Sequence, residues 1–317
     1  MGRYKKADLS KIKTVSLDNR KSKAEIGALA KPFNAKDADR FLECLPNFLK
    51  ASDFKELIQR IVTAREKGFP FHLMMGAHSI KVGLSPIYID LMKRGIITGL
   101  SINSAGLIHD LELAFAGKTS EDVAEGLKDG SFGMSEQTAE MFADVVNLTE
   151  SRQIGLGEAA GIYINERNAQ FREHSLFAAA DSLDLPATIH VAVGTDIVCQ
   201  QKNYNAAAAA EASFIDFRIL ADILVRADLG GVVINVGSAV VMPEVFLKAL
   251  TVARNLVKQE CNITTANFDM LNHYRPMMNV VKRPTEKGGR GFNFTGHHEI
   301  MVPLLAWTLK YYFEDNL

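Results

Sequence analysis

The sequence predicts an α/β fold in which a mostly parallel sheet carries helices on both faces. Short apolar runs ending in Gly, Ser or Asn alternate with stretches of helical period. In Gly76–Asp110, moreover, two strand–loop–helix units stand back to back, which gathers residues at the carboxyl ends of neighbouring parallel strands. With 317 residues, 47% of them hydrophobic, the chain can bury a large core without demanding a second one, so residues 1–317 read as a single domain.

Residues 1–31 alternate charged and small side chains with no sustained apolar period and read as a loosely held arm. Asp37–Lys50 and Phe54–Lys67 carry Phe41, Leu42 and Leu45, then Leu57, Ile58, Ile61 and Val62, at helical spacing. Phe71–Met75 is short enough for a buried strand, and Pro86 can start the helix that Gly95 ends. Ile96–Ile102 is a second strand running into Asn103-Ser104-Ala105-Gly106, after which Leu107–Ala116 is helical. Thr119 or Ser120 reads as the cap of a helix, Lys128–Met134 as a loop, and Ser135–Leu148, Gly157–Asn168 and Glu173–Leu183 as a helical insertion. The sheet resumes with a strand over Ala187–Asp196, and the Ala-rich Asn205–Arg226 is a long helix. VVINVGSA after Gly230-Gly231 is a fourth strand, and Pro243 opens the helix that follows. Ile263–Phe268 is a further strand, Asn279–Gly296 with its KGGRGFNF a loop, and His298–Phe313 a closing apolar helix.

Charge and cysteine content narrow the function. Thirty-six basic residues balance 37 acidic ones for a net charge of −1, so no global field favours nucleic acid or an anionic membrane. Cys44, Cys199 and Cys261 are few and widely spaced, which fits a reducing, cytoplasmic setting without a disulfide framework or thiolate metal cluster. No signal-peptide core is present, and no run reaches the roughly 20 apolar residues that span a bilayer.

The candidates for chemistry lie at strand ends. The GxGxxG fingerprint is absent, and the glycines of GLGEAAG, Gly155–Gly161, follow polar residues and read as a helix start. The turns GAHS, NSAG and NVGS instead put small residues and backbone N–H groups at helix amino termini, where phosphate is favoured; the plain alternative is that they turn the chain. His78 and His109 fall in such loops and could line a pocket, whereas His190, mid-strand, reads as a core histidine. His297-His298-Glu299 offers a metal-dependent hydrolase as the weakest reading, without HExxH spacing. If the reaction passes through an imine, Lys81 and Lys282 are the amines placed to form it. Asp110 and Asp196 could pair with an amine or hold ribose hydroxyls, or could cap helices.

SINSAGLIHDL, VAVGTDIV, VVINVGSAVVMPEVFLKAL and the tail TTANFD…RP…MVPLL, in that order over Gly76–Leu305, resemble the deoxyhypusine synthase family. The resemblance implies a Rossmann-like NAD-binding fold lacking the usual glycine fingerprint, a homotetramer with sites at subunit interfaces, and spermidine as source of an aminobutyl group. That group passes through an enzyme-lysine imine to a protein acceptor. On this resemblance Ser104, Ala105 and Gly106 match the family's NAD turn, Asp110 stands where it has a glutamate, and Asp196 is similar to a polyamine-site aspartate. Gly237 and Ser238 match the start of its glycine-rich turn, and Lys282 lies near the catalytic lysine's place. Met242-Pro243-Glu244 replaces the family's paired histidines, His78-Ser79-Ile80 replaces its Ser-Asn-Leu, leaving His78 and Ser79 at a cofactor turn, and the Trp-Gly-Lys motif is absent. The expectation is therefore a divergent NAD-dependent transferase with Lys282, Asp110 and Asp196 as catalytic residues, acting on spermidine or a related amine without forming hypusine. The alternative is a catalytically silent NAD-binding oligomeric module.

Overall fold

The computed structural model describes residues 9–20, 22–28, 41–42, 44–257 and 261–314. Its strands are β1 (Ser22–Glu25), β2 (Phe71–Met75), β3 (Gly99–Asn103), β4 (Lys118–Glu121), β5 (Ala187–His190), β6 (Val232–Val236), β7 (Thr264–Asp269) and β8 (Arg290–Thr295). Six of them form one parallel sheet in the order β5-β3-β2-β6-β7-β8, and β1 pairs antiparallel with β4 apart from it. The sheet's first strand stands at its centre, the next two on one side and the last three on the other. This is the doubly wound order, whose ligand crevice opens outside the carboxyl ends of the two strands where the order reverses, here β2 and β6.

The longer helices are α1 (Leu49–Glu66), α2 (Ser85–Lys93), α3 (Ser104–Ala116), α4 (Glu136–Arg152), α5 (Leu156–Glu166), α6 (Leu176–Ser182), α7 (Ala206–Ala227), α8 (Val241–Leu256) and α9 (His298–Glu314). They cover both faces. Leu73 and Met75 of β2 pack with Leu57 and Ile61 of α1 and Leu305 and Leu309 of α9 in one core. Met74 and Val233 turn the other way, onto Leu220 and Leu224 of α7 and Phe246 and Leu250 of α8. Burial on both faces is why the central strands read as unbroken apolar runs.

The expected strands and helices stand, with four differences. Lys118–Glu121 is strand β4 and not a helix start: the helix begins at Val123, capped by Asp122, whose carboxylate accepts the N–H groups of Ala124 and Glu125. The Gly-rich KGGRGFNF does not stay a loop. Gly288 and Gly289 turn the chain with φ of 159° and 80°, after which Phe292 and Phe294 alternate into the core as edge strand β8. The strand expected over Ala187–Asp196 ends at His190, and residues 277–285, overlapping the start of the expected loop, wind into a π-helix and a 3-10 turn. Of the expected arm, residues 1–8, 21 and 29–31 lie outside the described residues, as does part of the helix expected over Asp37–Lys50. Within the arm's described part, Leu17 is buried and its N–H donates to Gln137 Oε1 at 2.7 Å. No helix of the described residues is long and apolar enough to cross a membrane.

Candidate functional site

A cavity of about 210 Å³ opens at the carboxyl ends of β3 and β5, lined by Lys81, Ala105, His109, Glu121 and Asp196 among others. Short connections place these groups. β2 runs straight into the helical turn His78–Lys81, and β3 into α3, whose first turn Asn103 caps by accepting Gly106 N–H at 3.3 Å. After β5 the chain turns over Ala192–Asp196, and Asp196 Oδ2 accepts the Ala192 N–H at 2.9 Å. Burial raises the Asp196 carboxyl above its ordinary value, opposed by the neighbouring Ser104 hydroxyl and by the Ala192 N–H that Oδ2 accepts.

The protonation of His109 follows from its neighbours. Its Nδ1 lies 2.7 Å from Thr119 Oγ1, and that hydroxyl donates to Glu112 Oε2. Glu112 also receives both guanidinium nitrogens of Arg20 at 2.8 Å and the Thr138 hydroxyl at 2.8 Å. Burial works to raise the Glu112 carboxyl, but Arg20 outweighs it and holds the group below its ordinary value. An ionised carboxylate has no proton to give, so the single Thr119 proton goes to Glu112 and the hydroxyl must accept from His109 Nδ1–H. The Nε2 of the neutral ring then keeps a lone pair. Burial, reinforced by Lys81 and Arg20 and opposed by Glu112, lowers the His109 pKa to about 4, so the ring is neutral at pH 7.

At the switch point the two halves of the sheet meet backbone to backbone. A side chain at Gly76 would put its Cβ 2.5 Å from the Gly237 carbonyl oxygen, and Gly237 itself has φ of 68° and abuts the His298 ring. His298 and His78 face each other with ring centroids 5.4 Å apart. His298 Nε2 donates to the Phe268 carbonyl at 3.2 Å, which leaves Nδ1 of the neutral ring as an acceptor, buried and without a donor. Asp269, at the end of β7, accepts the Met270 N–H on Oδ1 at 2.7 Å, and its buried Oδ2 also has no donor. His78 joins this place to the cavity: burial lowers its pKa, His298 and Lys81 add to the effect, and Glu299 and Asp269 oppose it. Exposed apolar residues rim the same end of the sheet, Val193 after β5, Val240 after β6, Leu271 and Tyr274 after β7, and Ile300 in α9.

The structure therefore brings together Ser104, Ala105, Gly106 and Asp196 on one side and His78, Gly237 and Ser238 on the other, with Ser79 buried beneath. Gly106 is needed for packing, since a Cβ there would lie 2.0 Å from Ile102 Cδ1. Ser238 Oγ accepts the Met242 N–H at 3.1 Å and so ties down the start of α8. Asp110 is not brought in. It points to the far side of α3 and caps α6, accepting the Leu176 N–H at 2.8 Å and the Ser175 hydroxyl, and burial raises its pKa to about 6. Lys282 is not brought in either. The chain descends from the carboxyl end of β7 to the amino end of β8, and Lys282 stands late in that descent, exposed, beside Val281, whose carbonyl packs on Gly291 at the start of β8. His297 is exposed and His298 buried, and among the described residues no three or more His, Cys, Asp or Glu side chains are grouped so as to hold a metal ion. His190 is a core histidine, its Nε2 3.1 Å from Thr188 Oγ1 and its pKa lowered by burial to about 4. The residues that sequence reasoning missed are Asp269, Glu112 and Arg20. An aspartate ending TTANFD directly after a strand was the available signal for the first.

No family model and no curated protein sequence matches this chain. Solved structures do. Unliganded AgrE matches with a TM-score of 0.51 and 11% identity, over 91% of this chain and 34% of that one. The ternary complex of AgrE with ornithine and NAD+ matches with a TM-score of 0.50 and 12% identity, over 83% and 32%. The fold is shared with AgrE. The chain spans about a third of the length of the AgrE structures. A putative deoxyhypusine synthase from Entamoeba histolytica is also similar, with a TM-score of 0.49 and 12% identity over 81% of this chain and 87% of that one.

Proposed function

We propose that the chain binds NAD across the crevice between the carboxyl ends of β2 and β6 and acts on an amine-bearing small molecule in the adjoining cavity. The observation that carries this reading is the pair of buried acceptors without donors, Asp269 Oδ2 and His298 Nδ1, at the topological switch point. Leaving such a group unpaired costs roughly 1–3 kcal/mol. Ribose hydroxyls and a carboxamide are donors that a dinucleotide brings to that place. The N–H groups of Ser104 and Ala105, at the amino terminus of the 13-residue α3, favour its phosphates. The apolar rim offers its flat rings a surface away from water. AgrE, described in complex with ornithine and NAD+, supports the reading through the shared fold, and so do the motifs that resemble deoxyhypusine synthase.

When bound, NAD supplies an acceptor for hydride from the carbon that carries the amine. The chain's own residues do the rest. Asp196 pairs with the amine, His109 Nε2 takes up a proton from it, and Arg20, Glu112 and Thr119 hold that imidazole in the tautomer able to do so. Lys81 is the lysine beside the cavity, so an imine-linked transfer of the deoxyhypusine synthase kind would use Lys81 and not Lys282. A silent module would need neither a base nor the relay behind it, which favours the enzyme. The test is to incubate the purified chain with NAD+ and a panel of amines, spermidine and ornithine among them, and follow formation of reduced nicotinamide. Amine-dependent reduction that His109→Gln abolishes is expected; NAD+ binding with no reduction across the panel would favour the module.

A further inference from the structure

We propose that the cavity beside the crevice selects a zwitterion, a small α-amino acid, over the polyamines that the family resemblance implies. The proposal deepens the reading above and rests on it for the location of the site. It follows from which charges around the cavity are already engaged. Arg20 is held by Glu112 at 2.8 Å and stands 3.8 Å from Glu121, and Glu121 also accepts the Gly133 N–H at 3.0 Å. Lys81 has no ion-pair partner among the described residues, yet its charge reaches both His78 and His109. Asp196, which lines the same cavity, carries a carboxylate, and His109 offers the Nε2 lone pair. Arg20, Glu112 and Glu121 thus form one network, and the groups outside it are the Lys81 cation, the Asp196 carboxylate, whose Oδ2 accepts the Ala192 N–H, and the neutral His109 acceptor.

A polyamine matches that set badly. It is cationic at each nitrogen and would bring positive charge against Lys81 in a half-buried place where such repulsion is poorly screened. An α-amino acid matches it group for group: its carboxylate meets the Lys81 ammonium, and its ammonium donates to Asp196 and to His109 Nε2. Ile108, Phe132 and Ile197 supply an apolar wall for a side-chain stem. At about 210 Å³ the cavity falls below the ~300–1,000 Å³ of sites for drug-sized ligands, which suits a molecule of amino-acid size.

The test compares each of a panel of free L-amino acids, ornithine included, with the amine left when its carboxylate is removed, as ornithine is compared with putrescine. Calorimetry on the full chain, with and without NAD+, reads the binding. At least one amino acid should bind roughly tenfold or more tighter than its decarboxylated twin and than spermidine, a ratio worth about 1.4 kcal/mol. Lys81→Gln should bring that ratio close to one, and Asp196→Asn should weaken both members of the pair, with the circular dichroism of each variant confirming its fold. Amines binding as tightly as the amino acids, a ratio unmoved by Lys81→Gln, or no binding by any amino acid would overturn the proposal. NAD+ titrated alone separates the two readings. Amino-acid binding without NAD+ binding leaves this inference standing and the NAD reading fallen, and the converse result does the opposite.

Discussion

His109 and Asp110 are neighbours in one helix, and about 100° of helical rotation separates what they do. His109 faces the cavity; Asp110 faces the amino terminus of α6 and caps it. Both residues stood out in the sequence because strand-end loops gather functional groups, but position along the chain does not state which way a side chain turns. Lys282 illustrates the same limit, since its place near a loop says nothing about which end of the sheet the loop serves. A third buried acid carries a prediction. Asp216 accepts the Ile189 N–H at 2.7 Å and the Gly157 N–H at 3.0 Å, and burial pushes its pKa up to about 8. Because the folded value exceeds the unfolded one, this group's contribution to stability is full at low pH and is lost as pH rises through 8. The buried histidines act the other way: His72, His109 and His190 fall to about 3, 4 and 4, so their contribution is complete above the ordinary value of 6.5. Asp110, at about 6, has largely titrated by pH 7. Between pH 7 and 8 Asp216 therefore dominates, and stability should fall by up to ~1.4 kcal/mol per pH unit. Urea unfolding across that range should show the slope in the wild type and a flat profile in Asp216→Asn; equal slopes would contradict the assignment.

At the scale of elements, most of the fold was legible because local chemistry and tertiary position agree. Asn103 and Asn205 cap the helices they precede, Pro86 sits in the first turn of α2, and the apolar runs became the central strands. Two elements were not legible, for different reasons. The glycines of KGGRGFNF hid an edge strand whose alternating phenylalanines were the truer signal. β4 pairs with β1 across a long stretch of chain, Ser22 opposite Glu121, and no local pattern announces such a partner. The glycines of GLGEAAG were rightly read as a helix start, and the structure gives the reason for Gly157. A Cβ there would lie 1.9 Å from the Ala187 carbonyl oxygen, so α5 could not approach β5 as closely. Gly157→Ala should cost roughly 1–3 kcal/mol as the backbone contact is forced apart. Equilibrium denaturation measures it, and a variant as stable as the wild type would show that the contact yields freely.

For the whole molecule, alternation of strand and helix implied a parallel sheet but not its order. The crossover from β5 back to β6, beside the central strand, is a tertiary event that creates the crevice and brings together His78, Ser104, Asp196, Gly237, Asp269 and His298 from separate parts of the chain. Asp269 is the clearest product of that order, a strand-end carboxylate whose buried oxygen finds no donor within the fold. Since that oxygen makes no internal hydrogen bond, replacing it through Asp269→Asn, which keeps the Oδ1 that accepts the Met270 N–H, should not cost the NAD-free protein stability. Calorimetric titration of NAD+ into the wild type and into Asp269→Asn is the most direct test. The account predicts saturable binding to the wild type and a loss of roughly tenfold or more in the variant, on the scale of ~1.5–3 kcal/mol for a hydrogen bond to a charged group, with the NAD-free melting temperature undiminished. Equal affinity in the two proteins, or no binding to the wild type at millimolar NAD+, would contradict it.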